Sequence, residues 1–455
     1  MKQEGFVDVS TLTAAQAAAA IRDGRLTSEE LVGGCLARIR ADEERVRAWA
    51  FLDEAHALER AREADAARKE GRPLGALHGV PVGVKDIIDT GDMPTEDGTI
   101  LHAGRRPAED ATVVSRLREA GAIVLGKTVT TELATYSPGK TRNPHDPEHT
   151  PGGSSSGSAA AVAALMVPVA LGTQTNGSVI RPAAYCGVFG FKPSFGLVSR
   201  HGILKQSRPL DQVGLMARSV EDLALVGEAL AGFDPADPDT RPVARPPLAG
   251  VAAQEPPLPP KFAFVRTPNW GDAEEETREA FEELAGSLGD QVFAFDLPQE
   301  LAGAWEWHRA IMEADLARNY RHDYEEGRER MSATLRAQIE RGRQVTAVDY
   351  NDAVGRIEAV NAGFEELFDR YDAFLTASTA GTAPKGLEST GSPAFCTLWT
   401  YAGMPAVTLP IMRGGNGLPL GVQLVGRKGD DARLLRTARW LAGWAQSLGG
   451  EGAGT

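Results

Sequence analysis

The feature that most constrains this chain is a segment rich in glycine, serine and alanine at residues 151–196. It opens with Gly-Gly-Ser-Ser-Ser-Gly at 152–157 and runs at once into the alanine-rich stretch 159–165 and the apolar stretch 167–171. Alanine-rich stretches favour helix, and short apolar runs are typical of buried strands. A glycine-serine loop at the start of a helix presents backbone N–H groups and hydroxyls to a ligand or a reacting group. The segment therefore predicts a functional loop inside a folded core, although tracts of this composition are commonly flexible linkers.

Three other loop motifs of similar composition fit the segment less well. A phosphate-binding loop needs a lysine directly after its glycines, and none follows here. The dinucleotide-binding pattern Gly-x-Gly-x-x-Gly is absent from the segment as well. A nucleophile elbow, Gly-x-Ser-x-Gly, can be matched to 153–157, but no strand precedes it and no histidine has the setting of a catalytic base.

Short apolar runs alternate with helical stretches over much of the chain. Residues 80–84 and 122–125 are predicted strands, 111–120 is a predicted helix, and the first 70 residues are predicted to be helical. Alternation of this kind is typical of α/β proteins in which helices cover a largely buried sheet. We therefore expect a single large α/β domain built on a central mixed, twisted β-sheet.

A proline-rich stretch at 233–261 interrupts this pattern. Proline lacks a backbone donor and is excluded from helix and sheet interiors, so we expect a surface excursion there. Strand-like residues lie on both sides of it, which favours one continuous sheet over two domains. The chain then divides into a helical segment at 1–70, a core at 75–232, the excursion, and a C-terminal part at 262–455 that completes the sheet and the substrate pocket.

Composition limits the class of partner and the compartment. The chain has 62 acidic and 48 basic residues and a formal charge of −14, so we expect no nucleic-acid partner. No apolar run reaches the roughly 18 residues of a membrane helix, and the N-terminus MKQEGFVDVS lacks the basic and apolar pattern of a signal peptide. Three scattered cysteines indicate neither a disulfide framework nor a zinc site. We therefore expect a cytoplasmic protein that has no membrane partner and holds no metal.

Several blocks in order along the chain resemble the amidase signature hydrolases. That family pairs Gly-Gly-Ser-Ser-Gly-Gly with a downstream Gly-Gly-Ser, an arginine and a proline, and residues 151–196 are similar to this stretch. The block 77–86 (LHGVPVGVKD) resembles the lysine strand of the family. The other blocks with family-like sequence are 126–132, 141–147, 210–214, 403–406 and 417–426. The resemblance covers most of the chain and implies the amidase signature fold.

The resemblance also implies a Ser–Ser–Lys triad that needs no cofactor. Ser178 is the expected nucleophile and Lys85 the expected base. Ser154 is the expected bridging serine, which in the family follows a cis peptide bond, here between Gly153 and Ser154. The backbone N–H groups expected to form the oxyanion hole belong to Thr175, Asn176, Gly177 and Ser178.

Such a triad works only if the lysine is uncharged. The ordinary lysine pKa of about 10.4 must fall to near 7, which corresponds to roughly 4 kcal/mol. Burial supplies effects of that size, because a low dielectric disfavours the charged form. Lys85 lies between Val82–Val84 and the pair Ile87-Ile88. This apolar setting predicts a neutral base that receives the proton of Ser178 through Ser154.

Three positions depart from many relatives and bear on substrate choice. Asn176 stands where many relatives have glycine and can restrict or orient substrates, and Gln174 stands in place of an acidic residue. Arg181 follows Ser178 by three residues, where relatives often have the arginine two residues on. It is interpreted either as a clamp for a substrate carboxylate or as a buried partner of an acid such as Asp211.

Four further residues are expected to bind substrate. Tyr136 follows a predicted strand end, and Gly153 precedes the bridging serine. Phe395 and Trp399 belong to an aromatic cluster that borders the substrate pocket in the family. An apolar or aryl substrate and ordinary core packing both remain open for this cluster.

The leading hypothesis is a stand-alone hydrolase that cleaves the C–N bond of linear amides through an acyl- or carbamoyl-Ser178 intermediate. Aryl amides, small carboxamides and carbamates (urethanes) all remain open as substrates. The alternative is a glutamine-hydrolysing protein similar to the A subunit of glutamyl-tRNA amidotransferase, which works bound to partner chains and tRNA. A catalytically dead binding protein is disfavoured, because all three expected catalytic residues are present. Family analogy suggests a homodimer.

Overall fold

The computed structural model describes residues 8–451, and eleven strands in that range form one sheet. The strands are β1 (Trp49–Leu52), β2 (Pro81–Lys85), β3 (Ile123–Thr128), β4 (Val169–Gln174), β5 (Phe189–Lys192), β6 (Gln212–Ala217), β7 (Phe262–Arg266), β8 (Val292–Asp296), β9 (Ala373–Ala377), β10 (Ala406–Arg413) and β11 (Pro419–Val425). Their order across the sheet is β1-β3-β2-β4-β6-β5-β10-β11-β9-β7-β8. The pairs β2–β3, β2–β4, β7–β8 and β7–β9 are parallel and the other pairs are antiparallel, so the sheet is mixed.

Helices cover both faces of this sheet. They are α1 (Ala14–Arg22), α2 (Ser28–Val46), α3 (Glu54–Lys69), α4 (Thr112–Glu119), α5 (Ser156–Ala163), α6 (Ile180–Cys186), α7 (Val220–Leu230), α8 (Leu248–Ala252), α9 (Glu275–Leu288), α10 (Gly303–Asn319), α11 (Arg321–Gly327), α12 (Ala333–Gly342), α13 (Ala347–Phe368), α14 (Ala394–Tyr401) and α15 (Asp431–Glu451). None of the helices within residues 8–451 is both long enough and apolar enough to cross a bilayer.

Alternate residues of each strand enter different parts of the core. On β4, Val169 and Leu171 pack with residues of α4, α7 and α15, whereas Ala170 packs with residues of α2, α5 and α6. This is the period of two that a strand buried on both faces requires. The expected α/β domain with a central mixed sheet covered by helices is confirmed.

One part of the N-terminal expectation is wrong, because residues 1–70 are not wholly helical. Trp49–Leu52 forms strand β1, which pairs antiparallel with β3. Arg47 adopts a left-handed conformation with φ of 55° and ends α2, which releases the aromatic residues of β1 to the sheet edge. Residues 1–7, part of the stretch whose composition argues against a signal peptide, lie outside the described residues.

The sheet continues on both sides of the proline-rich stretch. Strand β7 begins directly after it and pairs with β8 and β9. Within the stretch, only α8 is regular, and it packs on α7 and α15. The residues at 241–245 are exposed.

Candidate active site

The topology of the sheet brings the expected triad together. Lys85 is the last residue of β2, and Ser178 follows the end of β4. Because β2 and β4 are parallel neighbours, their carboxyl ends lie at the same edge of the sheet. Ser154 lies just before α5, in the loop that leads into the helix packed against these strands.

Lys85 is completely buried, with 0% of its side chain exposed. Its Nζ donates hydrogen bonds to Oγ of Ser154 at 2.7 Å and to Oγ1 of Thr173 at 2.8 Å. Burial lowers the Lys85 pKa well below its ordinary value, and the nearby carboxyl of Asp211 opposes that shift only in part. Burial therefore favours the neutral form of the amine that lies against the hydroxyl of Ser154.

The two serines are joined through the backbone. The peptide bond between Gly153 and Ser154 is cis, and the N–H of Ser155 donates to the carbonyl of Ser178 at 3.3 Å. No hydrogen bond joins the hydroxyls of Ser154 and Ser178 within residues 8–451. Catalytic hydrogen bonds often tighten only when substrate binds, so this geometry is compatible with the expected relay from Ser178 to Ser154.

The loop that carries Ser178 is fixed by its carbonyl groups. Each of its four carbonyls accepts a hydrogen bond: Thr175 from His308 Nε2, Asn176 from Thr400 Oγ1, Gly177 from the Arg181 N–H, and Ser178 from the Ser155 N–H. The N–H groups of Asn176, Gly177 and Ser178 have no acceptor among the residues that the structure describes. With its carbonyls turned into the protein, the loop can offer these N–H groups to a developing oxyanion.

Gln174 fixes the start of the helix behind the nucleophile. Its Oε1 accepts from the N–H groups of Val179 and Ile180 at 2.7 and 3.0 Å. Its Nε2 donates to Oγ1 of Thr400 at 2.8 Å. The neutral amide thus satisfies two unpaired donors at the N-terminus of α6 and also holds the threonine that pins Asn176.

The cavity in front of Ser178 is narrow, about 10 Å³, which is roughly the space of one water molecule. It is lined by Ala134, Thr135, Tyr136, Thr175, Asn176, Ser178, Gln206, Met312, Leu316 and Gln338. The Asn176 side chain does not project freely into it: Nδ2 donates to the hydroxyl of Tyr136 at 2.9 Å, and Oδ1 accepts from Thr397 Oγ1 at 2.8 Å. Tyr136 therefore lies where a substrate-binding role was expected.

Arg181 is buried, as the second interpretation of the sequence expected, but its partners are carbonyl groups and not Asp211. It is 1% exposed and does not line the cavity in front of Ser178. Its guanidinium donates to the carbonyls of Gly391 at 2.9 Å and Gly153 at 2.7 Å. Asp211 instead accepts from Thr175 Oγ1 at 2.6 Å. These contacts correct both the carboxylate clamp and the ion pair with Asp211, because the arginine is used to hold the loop before Ser154.

Replacing Arg181 by alanine is expected to lower kcat/KM about equally for acidic and uncharged amides. The loss arises because the carbonyls of Gly153 and Gly391 lose a buried donor, at about 1–3 kcal/mol each. Parallel kinetics on a dicarboxylic monoamide and on an uncharged amide check this expectation. A loss confined to the acidic substrate would instead restore the clamp.

The two aromatic residues expected at the pocket lie in the core. Trp399 is buried against Phe364 and Phe374, with ring centroids 5.8 Å away in each case. Phe395 packs edge-on against Trp270. Neither lines the cavity in front of Ser178. Their α14 helix contributes Thr397 and Thr400 to the site instead, so the aromatic run serves packing rather than recognition.

Three residues at the site were missed from the sequence. Thr173 binds the Lys85 amine, His308 binds the Thr175 carbonyl, and Gln338 lines the cavity. His308 lies on α10 and Gln338 on α12, and both helices come more than a hundred residues after the serines. A polar residue on the buried side of a helix is a weak signal, and nothing in the sequence says which loop it meets.

His308 is a positioning residue in this arrangement, and replacing it by leucine is expected to lower kcat about 10- to 100-fold. The change leaves the Thr175 carbonyl buried without a donor. A smaller effect on KM is expected, because His308 contacts the loop and not the cavity. Burial lowers the His308 pKa to about 4, so the ring stays neutral and the effect should be constant above pH 5.

The matched variant His308→Gln retains an N–H donor and should recover part of the lost kcat. Steady-state kinetics of both variants, with circular dichroism to verify folding, measure the effect. Equal losses in both variants would show that His308 acts through packing alone.

Comparison with known proteins agrees with this geometry. The family model described as Amidase matches residues 30–435. The A subunit of glutamyl-tRNA(Gln) amidotransferase from Chloroflexus aurantiacus is 38% identical over 467 residues, covering 94% of each chain. The peptide amidase of Stenotrophomonas maltophilia superposes with a TM-score of 0.83 and 30% identity, covering 96% of this chain and 97% of that one. A 6-aminohexanoate cyclic dimer hydrolase superposes with a TM-score of 0.85 and 27% identity, covering 96% and 98%. This chain therefore belongs to the amidase family, whose members act on carbon–nitrogen bonds.

Proposed function

We propose that this protein hydrolyses the C–N bond of amides through a covalent intermediate on Ser178. The observation that carries the proposal is the state of Lys85. A lysine without any exposed surface and with a lowered pKa, bonded at 2.7 Å to a serine in the adjoining loop, has the properties of a general base. Lys127 and Lys192 are also buried with lowered pKa values, but neither is hydrogen-bonded to a serine in the described part of the chain.

In the first half of the cycle, the neutral amine of Lys85 accepts the proton of Ser154 as Ser154 accepts that of Ser178. The Ser178 oxygen forms a bond to the substrate carbonyl carbon, and the carbonyl oxygen becomes an oxyanion. The free N–H groups of the loop bind it, and each such donor is worth about 10²–10³ in kcat. The protons then return along the relay to the leaving nitrogen, the C–N bond breaks, and the amine departs.

In the second half, water takes the place of the amine. The same base removes a proton from the water as the water oxygen bonds to the acyl carbon. The ester bond to Ser178 then breaks, the proton returns to the Ser178 oxygen, and the acid is released. A carbamate presents the same carbonyl and would form a carbamoyl-Ser178 in the same way. A linear amide, an aryl amide or a carbamate is therefore compatible with the reacting groups. The cytoplasmic location of the protein stays a prediction.

A second candidate is the glutamine-hydrolysing subunit of an amidotransferase. The curated relatives favour it over the stand-alone hydrolase, since sequences that match over 94% of the chain are named as the A subunit of glutamyl-tRNA(Gln) amidotransferase. Another relative of that name, from Symbiobacterium thermophilum, is 36% identical over 457 residues, covering 91% of this chain and 93% of that one. In this role the ammonia released from glutamine would pass to a partner chain.

Hydrolysis of a substrate panel distinguishes these functions. The panel contains an aryl amide, a short carboxamide, a dicarboxylic monoamide, a carbamate and glutamine, and the purified chain is tested alone and with any chains that co-purify. Turnover of simple amides by the chain alone supports the hydrolase. Glutamine hydrolysis that occurs only with partner chains supports the amidotransferase role, and no turnover of any member rejects both.

A further inference from the structure

The cavity in front of Ser178 has no charged side chain in its described lining. The ten lining residues are apolar, small or neutral polar. The charges of two arginines outside the lining reach Tyr136 in the wall. Arg341 is bound by the carboxylate of Glu313, with Nε 3.0 Å from each oxygen, and Arg181 donates to the carbonyls of Gly153 and Gly391. Both guanidinium groups are therefore already bound to protein oxygens.

Gln338 lines this cavity and carries an unpaired acceptor. The residue is 2% exposed, and its Oε1 is buried without a hydrogen-bond donor. An unpaired buried acceptor costs roughly 1–3 kcal/mol, so few persist in folded proteins without a use. Replacement by an apolar residue of similar size would remove that cost, which suggests that the amide is retained for a ligand.

Tyr136 supplies the complementary donor. Its hydroxyl oxygen accepts from Asn176 Nδ2, and its own hydrogen has no acceptor among the described residues. The Gln338 oxygen and the Tyr136 hydroxyl thus give the lining a neutral acceptor and a neutral donor. Met312, an unbranched and adaptable side chain, lies in the same wall and can move aside for a substrate larger than the cavity.

We propose that Gln338 accepts a hydrogen bond from the acyl part of the substrate and, with Tyr136, selects uncharged acyl groups that carry a polar N–H or O–H. The inference rests on the proposed amide hydrolysis at Ser178. A carboxylate in this cavity would lose its hydration without direct contact to a charged side chain in the lining, which is unfavourable. Acyl groups with a free carboxylate, that of glutamine included, are therefore disfavoured.

Three amides of nearly equal shape test the proposal: 4-hydroxybutanamide, pentanamide and the monoamide of succinic acid. Each contains a CH2CH2–CONH2 unit, and they differ in the terminal group, which is CH2OH, CH2CH3 or a carboxylate. We expect kcat/KM of the wild type to be at least about 100-fold higher for the hydroxy amide than for the carboxylate. Gln338→Met, which keeps the size and removes the acceptor, should lower the ratio of kcat/KM for the hydroxy amide to kcat/KM for pentanamide about 10-fold.

Two further measurements separate recognition from structure. Gln338→Met should raise the melting temperature, because it removes a buried unpaired acceptor, whereas Gln344→Met, at an exposed glutamine nearby, should change neither stability nor selectivity. An equal loss of kcat/KM on pentanamide, or a lowered melting temperature, would show that Gln338 is structural. A wild type that prefers the succinic monoamide or glutamine would overturn the selection of uncharged groups.

Binding to the Ser178→Ala variant decides the inference without turnover. Calorimetric titration should give tighter binding of the hydroxy amide than of the succinic monoamide, and Gln338→Met added to this variant should abolish the difference between the hydroxy amide and pentanamide. If the wild type hydrolyses no amide while this binding preference holds, the proposed reaction fails and the assignment of Gln338 stands. If the reaction occurs without the preference, the assignment fails alone.

Discussion

Replacing Ser178 by alanine is expected to abolish amide hydrolysis, with kcat falling roughly a millionfold, the loss seen when the nucleophile of a serine hydrolase is removed. The hydroxyl is the only protein group in the proposed cycle that bonds to the acyl carbon. The backbone N–H groups of the loop remain in the variant and can still polarise a carbonyl, so a small residual rate above that in water is expected.

Mass spectrometry of acid-quenched turnover should find the acyl fragment on Ser178 in the wild type. Ser155→Ala is the matched control in the same segment. Its hydroxyl joins the backbone of Thr173 at 3.2 Å and takes no part in the relay, so the variant should still form the adduct. An adduct on another residue, or turnover that survives in Ser178→Ala, would refute the covalent mechanism.

Replacing Lys85 by methionine is expected to lower kcat about 10⁴-fold, because no other group bonded to Ser154 can accept its proton. Lys85→Arg is the matched control. A guanidinium stays protonated at all accessible pH values, so this variant should be as inactive as the methionine variant. Activity retained by Lys85→Arg would mean that positive charge, and not a neutral base, is what the site requires.

The pH dependence of the rate tests the same residue. Only the deprotonated amine can act, so the wild-type rate should rise with pH as Lys85 loses its proton and then level off. Since burial lowers the Lys85 pKa well below its ordinary value of 10.5, the rise should be complete below that value. The residual rate of Lys85→Met should lack this rise.

Stability should respond to pH through Lys85 as well. Lys85 has its ordinary pKa of 10.5 in the unfolded chain and a lower pKa in the folded chain. Between these two values the lysine is protonated in the unfolded chain and neutral in the folded chain. The free energy of unfolding of the wild type, relative to Lys85→Met, should therefore increase with pH in that window by up to about 1.4 kcal/mol per pH unit. Urea unfolding of both chains at several pH values measures the difference.

Much of the fold could be predicted because the strands are apolar and bounded by turns. The run Val80–Val84 lies in β2 or directly before it, and 167–171 overlaps β4. The strand β1 was missed because it has only four residues and lies between two helices rich in charged residues. Its existence depends on the left-handed turn at Arg47, and a turn of that kind at an arginine has no sequence signal.

The site residues that could be predicted are those that lie in the sequence blocks resembling the amidase signature family. Lys85 and Ser154 were assigned from such blocks, and the structure places them in contact, while their catalytic roles stay predictions. Thr173 could not be assigned, because its contact with Lys85 depends on the register of β2 against β4. His308 and Gln338 reach the site from helices more than a hundred residues away, where only the packing of the helices decides what they meet.

The hydrogen bonds that hold the Ser178 loop predict how the protein responds to cleavage of one peptide bond. Two of the four carbonyl anchors of this loop, His308 and Thr400, come after the exposed residues 241–245, whereas the triad comes before them. Strands from before and after residues 241–245 pair in the same sheet. A protease that cleaves the exposed stretch should therefore leave two fragments that stay associated and active. Separating the fragments with denaturant should end activity, since neither fragment holds both the reacting groups and their supports.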